Sequence, residues 1–280
     1  MKKHAPWIVA IGLLVAVNIA AKVKFAYRLE KGKTCKYAYQ SETRTNQEMM
    51  GRPVVSSTKS DIVIVLEPVG TAENGDLSCN AWFDRMVIRV SSSRLDSTFN
   101  LAAYANKRAR LVLAPYGKVK SVVPVDSMPP PDPMLQMLGI DARGLFRRVL
   151  VTLPQAELGE NETWVNSVPD TSQMSNMEVI TTPKVEYRIS GRETVSGFDC
   201  VKVGYTGPVR TAGKGSRMGA DFTFEGEGTL EGTLYYAGQN GLLISGENRS
   251  EQQSSIVITG AANMTIVQNT NTVTKITYVP

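Results

Sequence analysis

Histidine is almost missing from this sequence, because the only one among its 280 residues is His4. It precedes an apolar run, Trp7 to Ala21, that has the form of an export signal, so the exported part would contain no imidazole. This absence excludes Ser-His-Asp triads, Cys-His pairs and every metal site that needs histidine. Catalysis would have to use carboxylate, lysine, tyrosine or cysteine side chains.

Cysteine is also scarce, and Cys35, Cys79 and Cys200 are far apart with no C-x-x-C pair. This spacing is not that of zinc or iron–sulfur sites, so we expect no metal and no cofactor. In an oxidising compartment one disulfide can form. We favour Cys35 with Cys79, because both lie in early segments with strand character; the two other pairings and three buried free thiols remain alternatives.

A large excess of positive or negative charge is lacking as well. Removing residues 1–21 takes away two lysines and no acidic residue, so 29 basic and 26 acidic residues remain and the net charge falls from +5 to +3. The basic residues are scattered along the chain rather than clustered. A nucleic-acid partner is therefore not expected.

Long hydrophobic runs are absent except near the N-terminus, where the run ending at Ala21 is shorter than the ~20 residues of a membrane-spanning helix. A basic start followed by such a run predicts a signal peptide over residues 1–21, cleaved after Ala20 or Ala21. Position −3 would then be Asn18 or Ile19 rather than a small residue, so an uncleaved anchor is the alternative. We expect export to the periplasm or to the outer face of the cytoplasmic membrane, with membrane association only if this segment is retained.

Strand patterns dominate residues 22–280, which we interpret as one β-rich exported domain. Ile62 to Leu66 is a continuous apolar run, Pro115 to Gly117 and Asn240-Gly241 mark tight turns, and the last strand is predicted over Thr265 to Val279. The predicted class is α+β: a large curved antiparallel sheet, as a half-barrel or barrel, with two short helices packed across it.

The two helices are predicted in an insert at residues 132–150, which follows three consecutive prolines. Asp132 can cap the first helix and Pro133 suits its first turn. Apolar residues recur at helical spacing and are the candidate ligand-binding residues: Met134, Met137, Leu138, Leu145, Phe146 and Val149. They either pack as ordinary core or line the mouth of the sheet and contact an apolar ligand.

Acidic and glycine-rich stretches give no catalytic or phosphate-binding pattern. Glu157, Glu160 and Glu162 precede Trp164 without any sign of a cleft that would separate their pKa values. The acids between Asp221 and Glu231 fit no calcium loop, and the glycines from Gly213 onward lack the order of a phosphate loop. We interpret these as surface residues and a flexible loop.

Three segments resemble bacterial exported proteins whose sheets are similar to the lipoprotein carriers LolA and LolB. They are LVLAPYGKV at 111–119, the proline-rich insert followed by Leu153-Pro154 and Leu158-Gly159 leading to Trp164, and VSGFDCVKV at 195–203. This resemblance implies a curved antiparallel sheet with helices across its concave face and, in the carriers, an acyl-chain site. It transfers no individual binding residue.

The sequence therefore supports a non-enzymatic cell-envelope protein that binds a hydrophobic ligand, such as a lipid or a lipoprotein acyl chain, or a protein partner on a concave sheet. A structural or assembly component of the envelope without a small ligand is the alternative. A hydrolase that works without histidine is the third hypothesis.

Overall fold

A computed structural model describes residues 22–49, 51–93, 95–130, 145–146, 150–174, 177–217, 219–260 and 263–280. The strands are β1 Cys35–Met49, β2 Arg52–Thr71, β3 Leu77–Ser92, β4 Asp96–Asn100, β5 Ala109–Leu113, β6 Val119–Pro124, β7 Thr163–Asn166, β8 Asp170–Met174, β9 Met177–Pro183, β10 Val185–Val195, β11 Phe198–Arg217, β12 Ala220–Ala237, β13 Leu242–Gly260 and β14 Met264–Val279. A single 3-10 turn, Ala102–Tyr104, lies between β4 and β5.

The strands form one antiparallel sheet in the order β6-β5-β3-β2-β1-β14-β13-β12-β11-β10-β7. Strand β4 pairs with β3, and the β8–β9 hairpin pairs with β11 through β9. The predicted tight turns and the long last strand are confirmed, since Pro115 to Gly117 joins β5 to β6 and Asn240-Gly241 joins β12 to β13. Gly241 has φ +64°, which glycine adopts without strain.

The sheet is strongly curved, as its hydrophobic core shows. Leu111 and Leu113 of β5 belong to the same buried cluster as Tyr187 of β10 and Val203 of β11, although these strands lie toward opposite edges of the sheet. Residues so far apart in the strand order can share a core only when the sheet bends around it. The prediction of a large curved antiparallel sheet is confirmed.

Extended chain rather than helix covers one end of the concave face. Phe25, Tyr27 and Leu29 are buried there. They belong to residues 22–34, which precede β1 and which we call the N-terminal segment. Their backbone is satisfied by turns of the sheet: Tyr27 N–H donates to Pro115 O (2.7 Å) and Arg28 N–H donates to Gly241 O (2.9 Å). An extended segment can therefore lie against the sheet without leaving buried polar groups unpaired.

The predicted α+β class with two helices is wrong, because the described chain is all-β. Among the described residues no α-helix has bounds of its own; Leu145 and Phe146 alone have α-helical backbone. The remainder of the proposed insert, apart from Leu150, lies outside the described residues. The three prolines and the helical spacing of the apolar residues predicted helices. The extended segment before β1 instead occupies part of the surface that the helices were expected to cover.

The predicted disulfide is not formed in the structure, where Cys35, Cys79 and Cys200 are free and buried thiols. Cys35 lies opposite Leu66 of β2, and Cys79 of β3 lies opposite Pro68 of the same strand. A whole strand therefore separates the two cysteines, and two strand spacings exceed the ~7 Å limit on the Cα–Cα distance of a disulfide.

Candidate functional site

A cavity of about 610 Å³ lies on the concave side of the sheet. Its floor comes from β1, β11, β12, β13 and β14, and its walls come from the β5–β6 turn, the loop at 150–155 and strands β7 and β9. The lining residues used below are Tyr39, Lys118, Val119, Val151, Thr181, Tyr205, Leu234, Asn248, Thr274 and Ile276. Among the lining residues that the structure describes, only Lys118 has a side chain that is charged at neutral pH.

The N-terminal segment fixes two of these walls. The Tyr27 hydroxyl donates to Val151 O (3.0 Å), and a methyl group added at Gly117 would overlap the Tyr27 ring and Val151 O. Gly117 also has φ +93°, so both its conformation and its surroundings require glycine. Val23 and Leu158 exchange two backbone hydrogen bonds, which hold the chain shortly after the 150–155 loop.

A row of aromatic rings runs from the edge of the sheet to the cavity. Trp164 and Tyr187 have ring centroids 5.0 Å apart, and Tyr187 stacks on Tyr205, again at 5.0 Å. The Tyr205 ring lies over Gly232 of β12, where an added methyl group would overlap it. Burial raises the pKa of Tyr187 to about 12 and also raises the pKa of Tyr205, so both hydroxyls are neutral at physiological pH.

The six central strands are β2, β1, β14, β13, β12 and β11. Their inner face carries no Asp, Glu, Lys or Arg over most of its length. Side chains alternate between the two faces of a strand, so the paired registers assign each position to one face. The inner positions free of charge run from Tyr37 to Gln47, Val54 to Leu66, Val203 to Gly215, Phe222 to Leu234, Gly246 to Ile258 and Met264 to Tyr278. Over these stretches the charged side chains of the six strands point to the outer face.

Uncharged polar side chains form a continuous patch on this inner face next to the cavity, which we call the hydroxyl band. It consists of Ser41, Thr43, Thr45, Asn248, Ser250, Gln252, Thr270, Thr272 and Thr274. Cross-strand hydroxyl pairs link β1 to β14: Ser41 with Thr274 (3.3 Å), Thr43 with Thr272 (3.1 Å) and Thr45 with Thr270 (3.3 Å). Thr274 and Asn248 belong to both the band and the cavity lining.

On the concave face, the glycine at position 226 leaves space for the side chain of Gln252, a member of the hydroxyl band. The Gln252 amide reaches across β12 and donates to the Thr211 hydroxyl on β11. This contact passes over Gly226, where an added methyl group would lie 2.6 Å from Gln252 Nε2 and 2.7 Å from Thr211 Oγ1. A side chain at this position would therefore fill the space that the amide crosses.

The outer face has the opposite character. Lys59 pairs with Glu42 at 3.1 Å on β2 and β1, and Arg210 pairs with Glu227 at 3.2 Å on β11 and β12. These side chains are exposed, and such pairs contribute little to stability. Over the described stretches of the six central strands, the outer surface is thus charged and the inner surface is uncharged.

Of the residues predicted to bind a ligand, the structure describes two, and neither lines the cavity. Phe146 is 1% exposed and stacks on Phe83 of β3 with centroids 4.3 Å apart. Leu145 is partly buried and packs against the same core. Met134, Met137, Leu138 and Val149 lie outside the described residues.

The cavity residues were missed because they come from strands that are distant in sequence. The signal that could have indicated the band is the alternation of hydroxyl residues with charged ones at Ser41 to Thr45, together with threonines at 270, 272 and 274. Alternation defines a face of one strand, but only the register between β1 and β14 brings the two sets together.

Glu162 is one of the three glutamates considered above for acid–base chemistry. It pairs with Lys22 at 2.7 Å, and this hydrogen bond lowers the pKa of Glu162.

Within the described part of the chain, no cluster of three or more His, Cys, Asp or Glu side chains has the arrangement of a metal site. In the same described residues, no helix has the length and hydrophobicity that crossing a bilayer requires.

Comparison with known proteins gives distant structural likenesses only. No protein family and no curated protein matches the chain. A structure of lipovitellin with its lipid–protein interactions matches with a TM-score of 0.44 and 9% identity, over 90% of this chain and 26% of that one, so the chain spans about a quarter of its length. An outer membrane channel from Pseudomonas putida F1 matches with a TM-score of 0.26 and 12% identity, over 91% of this chain and 98% of that one. Both TM-scores are below 0.5, a level at which a likeness establishes neither a shared fold nor a shared function.

The predicted resemblance to LolA and LolB is confirmed only at the level of a curved β-rich sheet.

Proposed function

We propose that this chain is a non-enzymatic binding protein that holds the hydrophobic chain of an amphipathic ligand on its concave face. The observation that carries the proposal is the cavity of about 610 Å³ between the curved sheet and the 150–155 loop. Its volume falls within the ~300–1,000 Å³ of typical small-molecule sites. Val119, Val151 and Ile276 supply apolar wall, while Asn248 and Thr274 supply polar groups at one side.

The chemistry of the lining favours binding over catalysis. Acid–base catalysis needs groups that exchange protons near neutral pH, and without histidine it would depend on carboxylate, lysine, tyrosine or cysteine side chains. Among the described lining residues none is Asp or Glu, so Lys118 has no carboxylate partner among them. Burial raises the pKa of Tyr205, one of the lining tyrosines.

Export is part of this proposal, and it is supported by the basic start and apolar run of residues 1–21. The described chain starts beside the segment between the 150–155 loop and β7, where Lys22 pairs with Glu162 and Val23 pairs with Leu158. An alkaline phosphatase fusion after residue 30 tests export: we expect an active enzyme, whereas an inactive but stable fusion would contradict it.

Displacement of an uncharged fluorescent alkyl probe from the full-length protein by 1-dodecanol tests ligand binding. Val119→Glu places a carboxylate on the cavity wall, so we expect at least tenfold weaker binding of the probe. Val123→Glu is the matched control, because Val123 lies on the same strand, is 56% exposed and does not line the cavity. Equal binding by the two variants, or no binding by the wild type, would refute the proposal.

A further inference from the structure

We infer that the ligand carries an uncharged, hydroxyl-rich headgroup, such as that of a glycolipid or another polyol amphiphile, and that the hydroxyl band binds it. This inference rests on the proposed function, because it assumes that the cavity holds the ligand's hydrophobic chain. It adds the chemical class of the headgroup and a second subsite on the same face. Three observations lead to it.

The band and the cavity are continuous. Thr274 and Asn248 line the cavity and are also the nearest members of the hydroxyl band. Two residues of strand span about 7 Å, so the next pair, Thr43 with Thr272, lies that far along the sheet from the pair at the cavity, a distance that a disaccharide headgroup can span. A ligand whose chain occupies the cavity can therefore place its headgroup over the band.

The electrostatics of the inner face select against ionic headgroups. A phosphate, carboxylate or ammonium group held there would lose part of its hydration without gaining a partner of opposite charge from the described inner face of the six central strands. The cations and anions of these strands lie on the outer face, as the Lys59–Glu42 and Arg210–Glu227 pairs show. Lys118 belongs to the β5–β6 turn and not to the band.

The band can exchange hydrogen bonds with a polyol. Serine and threonine hydroxyls both donate and accept, and the amides of Asn248 and Gln252 do the same. The hydroxyls of Ser41–Thr274, Thr43–Thr272 and Thr45–Thr270 hydrogen-bond to each other in pairs. Each hydroxyl has further donor or acceptor capacity, so a ligand hydroxyl can bind without leaving a protein group unpaired.

Four amphiphiles that share a C12 chain test the inference: dodecyl maltoside, 1-dodecanol, dodecyl phosphate and dodecyltrimethylammonium, each below its micelle concentration and titrated into the full-length protein. We expect dodecyl maltoside to bind at least tenfold more tightly than either ionic compound. The double variant Thr43→Val/Thr272→Val removes two band hydroxyls with little change of shape, and should weaken maltoside binding at least fivefold while leaving dodecanol binding unchanged. Thr265→Val, on the outer face of β14, is the matched control and should bind as the wild type does.

The outcomes separate this inference from the function on which it rests. Equal binding of all four compounds, tighter binding of an ionic compound, or an unaltered double variant would overturn the headgroup assignment and leave the cavity as a chain-binding site. Failure of dodecanol and of every other compound to bind would overturn both. A urea unfolding curve for each variant shows whether it is folded under the conditions of the titration.

Discussion

The hydroxyl of Tyr236 accepts a hydrogen bond from the Ala26 N–H (3.0 Å) and donates one to the Ala26 carbonyl oxygen (2.6 Å). One side chain of β12 thus satisfies both backbone groups of a residue 210 positions away. This contact holds the extended N-terminal segment against the sheet, and with it Tyr27, whose hydroxyl donates to Val151 O in the 150–155 loop.

Tyr236→Phe should lower the free energy of unfolding by about 1–3 kcal/mol, because it leaves both backbone groups of Ala26 without this partner. Urea unfolding measures the change. The exposed-loop substitution Glu73→Gln serves as a control and should have no effect. Unaltered stability of Tyr236→Phe would show that the hydroxyl does not hold the segment.

Tyr37→Phe should have the opposite result. The Tyr37 hydroxyl is buried and has no hydrogen-bond partner among the described residues, so its removal relieves a desolvation cost. We expect the free energy of unfolding to stay the same or rise by about 1 kcal/mol. A loss of more than about 1 kcal/mol in the same urea experiment would mean that this hydroxyl is bonded in solution.

Gly232→Ala should destabilise the sheet by more than about 2 kcal/mol, because its methyl group would overlap Glu247 O and the Tyr205 ring. Gly204→Ala is the matched control on neighbouring β11, where an added methyl group meets no atom within 4 Å. That control should be neutral or slightly stabilising. Equal effects of the two substitutions would contradict the close approach of Tyr205 to β12.

Stability should fall at alkaline pH. Burial raises the pKa of the Cys79 thiol to about 12, and burial raises the pKa of Tyr187 to about 12 as well. Both groups keep their protons in the folded protein while the unfolded chain begins to lose them near pH 9–10. The stabilisation is complete below that range and is lost as pH rises toward 12, by up to about 1.4 kcal/mol per pH unit for each group.

Urea unfolding at pH 7.5, 9.5 and 10.5 measures this dependence. The Tyr187→Phe variant removes one of the titrating groups, so its stability should fall less steeply above pH 10. A free energy of unfolding that stays constant up to pH 10.5 would mean that the buried groups titrate as they do in the unfolded chain.

Much of the sheet was predictable because its signals are local. The turn at Asn240-Gly241 and the alternation in Thr265 to Val279 define a hairpin and a strand within a few residues. The cavity was not predictable, because Tyr39, Thr181 and Leu234 meet only after the strands pair and the sheet bends. The sequence pointed instead to the apolar insert, yet Phe146, one of its two described candidate residues, packs on Phe83 as core.

The most direct test of the central claim is native mass spectrometry of the protein purified from its own host without detergent. We predict an additional mass from a non-covalently bound amphiphile with an uncharged headgroup, which is retained by Val123→Glu and lost from Val119→Glu. A wild-type protein that carries only the mass of its own chain, across repeated preparations, would contradict the claim that the concave face is a ligand-binding site.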